Sequence, residues 1–174
     1  MSAACQLLSY SEFTLFEYKQ TYTVNEATSI ELFMPLRNDL QKLSLGTYFA
    51  QVGGAVAQED APSSEILSLV LNCLYALSKL NIPEKQVKAV FELRIVSIAG
   101  YTPNLNCCVL CGADEPRFFD FHGGIMLCTD CVVLNRSPYQ EIDTGVLNAL
   151  RYITTSDPKR IFSFRKRFFL VRQH

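Results

Sequence analysis

The sequence predicts a mainly α-helical protein, a helical bundle that carries an inserted four-cysteine zinc element and begins with a short β segment. Two observations lead to this prediction. After residue 25, apolar residues recur at steps of three and four through most of the chain, which is the period of amphipathic helices. Five of the seven cysteines lie within residues 107–131, and their spacing is typical of a metal site.

Composition and hydropathy place the chain among soluble globular proteins. Its 174 residues are 49% hydrophobic and 19% charged, which suits one or two domains with a core. No apolar run reaches the about 18 residues needed to span a membrane, and the N-terminus lacks the pattern of a signal peptide. We therefore expect a cytoplasmic protein without membrane contact. In this reducing compartment, clustered cysteines bind metal or do redox work.

The net charge of −1 hides an uneven distribution. Residues 151–174 contain seven basic side chains and one acidic side chain, a net charge of +6. The first 150 residues contain nine basic and sixteen acidic side chains, a net charge of −7. Such asymmetry indicates an anionic partner for the C-terminal end.

The first 24 residues predict β structure. They are rich in aromatic and β-branched residues and alternate roughly from Phe13 to Lys19, which indicates two or three short strands. So few strands do not form a stable domain alone. Residues 25–174 are expected to form a helical domain, with the zinc element at about residues 105–135.

Two helices are predicted in the first part of the helical domain. The first begins at Asn25 or Thr28, which are possible N-caps. The second covers residues 45–58, and the Gly53–Gly54 pair is expected to weaken or kink it. The apolar positions that predict the first helix are Ile30, Phe33, Leu36, Leu40 and Leu43.

Three further helices follow. The third begins at Ser63 or Ser64, the fourth follows Pro83 and ends at Gly100, and the last covers residues 137–157. Their apolar stripes are assigned to the core: Leu67, Val70, Leu71, Leu74 and Leu77 in the third, Val87, Val90, Phe91, Ile95 and Ile98 in the fourth, and Val146, Leu147, Leu150 and Ile153 in the last.

Two C-x2-C pairs, Cys108–Cys111 and Cys128–Cys131, are separated by sixteen residues. Two residues between thiols allow one tight turn to direct both sulfurs at the same ion, and Gly112 relaxes the first turn. Two such pairs supply a closed tetrahedral site with no open position for catalysis. The spacing therefore predicts one structural Zn²⁺ bound by these four cysteines.

Alternatives to this ligand set remain open. Cys107 is a spare thiol that can form a C-x3-C pair with Cys111. His122 lies at the tip of a hairpin predicted between the pairs, with Gly123–Gly124 at its turn, and can replace one thiolate. The pairs can also be redox-active or a degenerate site without metal, although the βαβ setting of thioredoxin-like chemistry is missing.

The sequence does not indicate an enzyme. It contains neither of the glycine-rich phosphate-binding patterns. Its two histidines make a catalytic triad improbable, and the glycines after His122 do not fit a zinc deaminase. We therefore predict no catalytic residue.

The residues around the cysteines resemble the bacterial RecO family of recombination mediators. The resemblance is carried by FELRIVSIAGYTPNLNCCVLCG (91–112), GGIMLCTDC (123–131) and LRNDLQKLSLGTYFAQV (36–52). A generic zinc ribbon, such as that of a transcription regulator, would share the cysteines but not the helix and the Gly-Tyr-x-Pro turn. The similarity covers roughly residues 25–155.

The resemblance implies an N-terminal OB-fold, a helical domain and an inserted zinc element. It implies binding to single- and double-stranded DNA, annealing of complementary strands, and partnership with RecR and the C-terminal tail of single-stranded DNA-binding protein. The implied role is recombinational DNA repair, in which RecA is loaded onto DNA coated by that protein. The implied location is the cytoplasm, in association with the nucleoid.

Both ends of the chain depart from the family pattern. The β segment at residues 1–24 is shorter than an OB-fold and resembles its last strands, and the ending RKRFFLVRQH does not resemble the family ending. The alternative function is therefore a module that docks partner proteins without binding DNA itself.

The C-terminal residues interleave basic side chains with four phenylalanines, the composition of a surface that binds single-stranded DNA. A C-terminal helix that packs its phenylalanines on the protein body is the structural alternative. The candidate DNA-binding residues are Lys159, Arg160, Arg165, Lys166, Arg167 and Arg172.

Four basic residues are candidates for contact with a partner protein. Arg94 can pair with the carboxylates of an acidic tail, or it can extend its charged end to solvent or pair with an internal acid. Lys79, Lys85 and Lys88 flank the turn between the third and fourth helices, where they can hold an acidic peptide or DNA or simply be solvated.

Overall fold

The computed structural model describes residues 3–58, 63–134 and 138–163. The chain divides into two compact units, Met1–Lys88 and Ala89–His174, which we call the N-terminal unit and the C-terminal unit. Helices alternate with two separate sheets, one in each unit, so the fold is mixed rather than mainly α-helical.

The N-terminal unit begins with an antiparallel hairpin of β1 (Tyr10–Tyr18) and β2 (Thr21–Glu31). The two residues between the strands, Lys19 and Gln20, have φ angles of 48° and 62°, as a type I′ hairpin turn requires. The prediction of β structure at the N-terminus is therefore confirmed.

The prediction of a helix from Asn25 is wrong, because Asn25 and Thr28 lie within β2. Ile30, Phe33 and Leu36 are spaced as in a helix, but they extend from the end of β2 into the next element. Pairing with β1 continues to the Tyr10–Glu31 pair, and this hydrogen-bonded ladder overrides the local spacing.

Three helices follow in the N-terminal unit: α1 (Met34–Arg37), α2 (Leu40–Val56) and α3 (Ser64–Lys79). The prediction of separate helices ending near residue 43 and starting at residue 45 is wrong, since α2 is continuous. Its N-terminus is capped by Asp39, whose carboxylate accepts hydrogen bonds from the backbone N–H groups of Gln41 (2.9 Å) and Lys42 (3.2 Å).

The Gly53–Gly54 pair lies inside α2, which neither breaks nor ends there. Gly53 is buried where α2 packs against α3, and a Cβ atom at this position would lie 2.9 Å from Val70 Cγ2. Gly54 is exposed, and a Cβ atom there would have no neighbour within 4 Å. Gly53 therefore permits the close approach of the two helices.

The buried face of α3 differs from the predicted stripe. Leu74 and Leu77 are buried as expected, but Leu67 is 48% exposed. Leu69 and Cys73 occupy the core instead. The apolar run in α3 is wide enough to fit either face, and the positions of α1 and α2 decide which face is covered.

Helix α4 (Glu84–Ile98) confirms the fourth predicted helix. Val87, Val90, Phe91 and Ile95 are buried. The division between the two units falls inside this helix.

The C-terminal unit contains a four-stranded sheet. Its strands are β3 (Asn104–Cys108), β4 (Phe118–Asp120), β5 (Ile125–Leu127) and β6 (Tyr139–Glu141), in the spatial order β3-β5-β4-β6. β3 is parallel to β5, and the other pairs are antiparallel. The predicted hairpin between the cysteine pairs is confirmed as β4 and β5, and Gly124 in its turn has a φ angle of 61°.

The remaining described elements of the C-terminal unit are two helices and a 3-10 turn: α5 (Thr129–Val132), α6 (Thr144–Thr155) and Pro158–Arg160. The last predicted helix begins at Thr144 rather than 137, because Tyr139–Glu141 pair with β4. Leu147 of α6 packs with Leu105 and Met126 of the sheet. In the described part of the chain, no helix has the length and apolarity needed to cross a membrane.

Substitution of the two neighbouring glycines in α2 is expected to have opposite effects on stability. Gly54→Ala should raise the free energy of unfolding by about 0.5–1 kcal/mol, because alanine favours the helix. Gly53→Ala should lower it by about 1–3 kcal/mol, because the new methyl group overlaps a stiff β-branched side chain. Urea unfolding measures both, and an equal gain in the two variants would contradict the close packing of α2 on α3.

Candidate metal centre

The two cysteine pairs meet because the strands that precede them are neighbours. Cys108 ends β3, and Cys128 follows β5 and caps the N-terminus of α5. β3 and β5 run parallel, with Cys108 opposite Met126, so their C-terminal ends lie at the same edge of the sheet. Each pair then turns at that edge, and the local fold brings together residues twenty positions apart.

The four thiols form one compact group. The Sγ atoms of Cys108, Cys111, Cys128 and Cys131 all lie within 4.8 Å of one another, and the Cys111 and Cys128 Sγ atoms are 3.6 Å apart. A tetrahedral ion with metal–sulfur distances of about 2.3 Å requires sulfurs about 3.8 Å apart. All seven cysteines are free thiols in the structure. The group can therefore hold one four-coordinate metal ion.

Backbone hydrogen bonds fix the turn of the first pair. The N–H group of Gly112 donates to the Cys108 carbonyl (2.8 Å), and the Cys108 N–H group donates to the Ala113 carbonyl (2.9 Å). Gly112 has a φ angle of 77°, which a side chain would disfavour. The sequence-based role of this glycine in the turn is confirmed.

A small apolar cluster supports the thiols from beneath. Cys108 and Cys128 are buried together with Leu127 and Val132, and Phe118 and Ile125 pack against them. The outer sulfur ligands are less covered, since Cys111 is exposed and Cys131 is half-buried. One side of the thiol group, Cys108 and Cys128, is thus packed in the apolar cluster, and the other side, Cys111 and Cys131, is accessible to solvent.

The thiols do not share negative charge equally. Burial of Cys108 raises the pKa of its thiol, but hydrogen bonds from the backbone N–H groups of Cys128, Cys111 and Leu110 outweigh burial and lower it to about 6. Hydrogen bonds with the Cys128 and Cys111 side chains, together with burial, raise the pKa of Cys131 to about 12. The Cys108 thiol therefore loses its proton more readily than the Cys131 thiol, and a bound cation must displace the protons of thiols with a raised pKa.

The two alternative ligands lie outside this group. Cys107 precedes Cys108 in β3, where successive side chains point to opposite faces of the sheet, and it is half-buried. His122 is in the exposed turn between β4 and β5, with its backbone N–H group bonded to the Asp120 carboxylate (2.8 Å). Among the described residues, only the four predicted cysteines form a group that can hold a metal ion.

Arg94 contacts the end of a helix in its own unit. Its Nη1 atom donates to the carbonyls of Ile153 (3.2 Å) and Thr154 (2.6 Å), which lie in the last turn of α6. Carbonyls at a helix C-terminus have no partner inside the helix and attract a cation. Arg94 therefore pairs within its own unit, with helix carbonyls where an internal acid was expected, and contact of Arg94 with a partner protein stays a prediction.

Two of the three candidate lysines line a cavity in the N-terminal unit. Lys85 and Lys88 border a space of about 660 Å³, together with Leu40 and Tyr48 of α2. The Lys88 Nζ atom lies 5.9 Å from the centre of the Tyr48 ring. Lys79 is exposed at the end of α3 and is not among the residues that border this space. The sequence carries no signal for the contribution of α2 to this cavity, because the spacing of Leu40 predicts a core position.

The candidate DNA-binding residues are described only in part. Lys159 and Arg160 are exposed in the 3-10 turn after α6. The other four candidates, Arg165, Lys166, Arg167 and Arg172, lie outside the described residues. Arg151 is also basic, but its guanidinium group donates to the carbonyls of Leu105 and Asn106 (2.9 Å each).

Replacement of single cysteines tests the ligand set. Cys111→Ser and Cys131→Ser should each reduce bound metal from about one equivalent to less than half and lower the melting temperature, because a structural site needs all four sulfurs. Cys107→Ser is the matched control and should keep the metal. Metal content is measured by plasma mass spectrometry, and equal loss in the Cys107 variant would overturn the assignment.

Removal of the Arg94 donors should loosen α6. Arg94→Met retains the apolar stem but leaves two helix carbonyls without their charged donor, so the free energy of unfolding should fall by about 1–2 kcal/mol. Arg94→Lys retains the charge, and its free energy of unfolding should lie between those of the wild-type protein and Arg94→Met. Urea unfolding followed by circular dichroism gives these values, and wild-type stability in Arg94→Met would contradict this structural role.

Comparison with known proteins identifies relatives of this sequence. The chain is 38% identical to the DNA repair protein RecO of Acetivibrio thermocellus over 164 residues, which cover 93% of this chain and 65% of that protein. It is 32% identical to the DNA repair protein RecO of Alkaliphilus metalliredigens over 132 residues, 74% of this chain and 53% of that protein. It thus spans between about half and two thirds of these two relatives.

A third relative, the DNA repair protein RecO of Caldicellulosiruptor saccharolyticus, is 28% identical over 167 residues, 95% of this chain and 67% of that protein. The family model described as recombination protein O C terminal matches residues 37–166. That range contains α2 to α6 and all four clustered cysteines. Since the match covers most of its residues, the chain belongs to the RecO family.

Proposed function

We propose that the chain takes part in recombinational DNA repair, by binding and annealing DNA and by helping RecR to load RecA onto DNA coated by single-stranded DNA-binding protein. The observation that carries this proposal is the family match over residues 37–166. The relatives bear the name DNA repair protein. In this proposal the chain acts by binding and positioning DNA strands, and we assign it no catalytic residue. We assign it to the cytoplasm, in association with the nucleoid.

We assign the metal as Zn²⁺ with a structural role. Four sulfurs within 4.8 Å of one another suit zinc, and a site with four sulfur ligands leaves no coordination position for a substrate. The ion would neutralise the thiolates and hold the C-terminal ends of β3 and β5 together. The chain's own contribution is the buried cluster beneath the site and the backbone donors that stabilise the first thiolate.

We assign DNA contact to the basic residues after α6 rather than to the hairpin. Between Tyr10 and Glu31, the hairpin carries four glutamates and one lysine, a net charge of −3. A surface of that charge repels phosphate, whereas Lys159 and Arg160 are exposed and lead into the four further basic candidates. The hairpin itself is interpreted as the last strands of an OB-fold.

An acidic peptide tail is the proposed partner for the cavity beside α2. Lys85 and Lys88 at its border outweigh the negative charge of Glu84, and Leu40 and Tyr48 supply apolar surface. This combination suits the C-terminal tail of single-stranded DNA-binding protein. Lys79 and Arg94 are retained as weaker candidates for partner contact, since neither borders this cavity.

The second candidate function is a docking module without its own DNA binding. The acidic hairpin favours it, because a DNA surface at the N-terminus would need the opposite charge. The basic residues after α6 favour the first candidate. The two functions differ in one measurable property, the affinity of this chain for DNA alone.

Affinity for DNA at several salt concentrations separates the two functions. The chain should bind a labelled single-stranded oligonucleotide in fluorescence anisotropy, with affinity that falls steeply as salt rises. Lys159→Ala with Arg160→Ala should weaken binding and make the slope of log K against log salt shallower by about 1–2, because two phosphate contacts are lost.

The matched control is Lys19→Ala with Lys42→Ala, which removes the same charge from the N-terminal unit and should leave the slope unchanged. Absence of binding by the wild-type chain at the lowest salt would contradict the first function and support the docking module. Equal weakening in both double variants would contradict the assignment to residues after α6.

A further inference from the structure

An apolar groove lies open in the C-terminal unit, apart from the metal centre. It has a volume of about 610 Å³ and is lined by aromatic and aliphatic side chains from the sheet and α6. Phe121 is 59% exposed there, and its ring meets the Phe119 ring edge-on at 5.3 Å. The groove also includes Leu105, Val146 and Leu150. Apolar surface gathered at one exposed place is typical of a binding site.

The charge around the groove is negative. Glu141 and Asp143 lie at its border, and none of the described residues that line it is basic. The described residues of the C-terminal unit include eight acidic and five basic side chains, a net charge of −3. The groove therefore suits an occupant that combines apolar side chains with positive charge and does not suit DNA.

We propose that the groove is the docking site for the chain's own residues 164–174, which lie outside the described residues. Their sequence, FRKRFFLVRQH, contains four basic and no acidic side chains. The run Phe168–Val171 is apolar and lies between basic residues. The apolar run of this segment suits the apolar lining of the groove, and the flanking basic side chains suit the carboxylates of Glu141 and Asp143 at its border.

The chain is long enough to reach the groove. The Tyr152 hydroxyl donates to the Arg160 carbonyl (2.7 Å), and the Ser163 N–H group donates to the same carbonyl (2.8 Å), so Ser163 lies beside α6. Val146 and Leu150 are about half a turn around that helix from Tyr152, a path of about 15–20 Å for a helix about 10–12 Å wide. Eleven residues span up to about 36 Å.

A covalent tether favours this occupant over a second copy of the chain. The segment is present at an effective concentration of about millimolar or above, whereas a second copy must also overcome the repulsion between two acidic surfaces. Docking would bury Phe121 and bring the basic side chains towards Glu141 and Asp143. This inference does not depend on DNA binding, and its test contains no DNA.

A fluorescent reporter in the groove tests the proposal. The chain contains no tryptophan, so Phe121→Trp in the 174-residue chain, prepared with Zn²⁺, gives a single tryptophan emission signal. If the segment docks, adding Phe168→Ser and Phe169→Ser should shift that emission to the red and raise its quenching by acrylamide. Arg165→Glu with Arg167→Glu should act in the same direction, because it reverses the attraction to the acidic border.

A second reporter provides the control. Tyr22→Trp places the probe on the exposed hairpin, and its emission should not respond to the segment substitutions. An unchanged signal from Phe121→Trp would overturn the proposal. If the emission of Tyr22→Trp responds to the segment substitutions instead, the segment docks on the hairpin and the proposal is overturned. If the emission of Phe121→Trp depends on protein concentration, the occupant is a second copy of the chain and the proposal is likewise overturned.

Discussion

The parallel pairing of β3 with β5 is the constraint on which the metal centre depends. Each cysteine pair is a local turn that can form alone, but only neighbouring strands running in the same direction end at the same edge. The buried Cys108 and Cys128 belong at once to the ligand group and to the apolar cluster beneath it. Binding of a metal ion by these thiols would therefore be coupled to the packing of this small sheet.

Two arginines connect α6 to the rest of the C-terminal unit. Arg151 donates from α6 to the carbonyls of Leu105 and Asn106 in β3, and Arg94 donates from α4 to the carbonyls at the end of α6. Leu147 adds an apolar contact with the sheet. The helix is thus held by charge-assisted hydrogen bonds at two places and by burial between them, although the apolar core of this unit is small.

The distribution of charge assigns different roles to the two ends of the chain. The hairpin is acidic and exposes apolar side chains such as Phe16 and Tyr22, a surface that suits protein contact. The residues after α6 are basic and suit either phosphate or the acidic groove in their own unit. If the groove holds residues 164–174, the basic side chains of this segment contact the groove in one state and DNA in the other. Docking in the groove and binding to DNA would then compete for the same residues.

The sequence by itself determined the features that depend on residue type and short spacing. The two C-x2-C pairs identified the four thiols that lie together, Gly123–Gly124 identified the hairpin turn, and the patterns of α3 and α4 identified those helices. Only the tertiary structure decided between patterns that fit two answers: Asn25 joined a strand because β1 pairs with it, and Leu67 faced solvent because α1 and α2 cover another face of α3. Side-chain periodicity records which faces can be buried, whereas hydrogen bonds and packing between distant residues select the face that is buried.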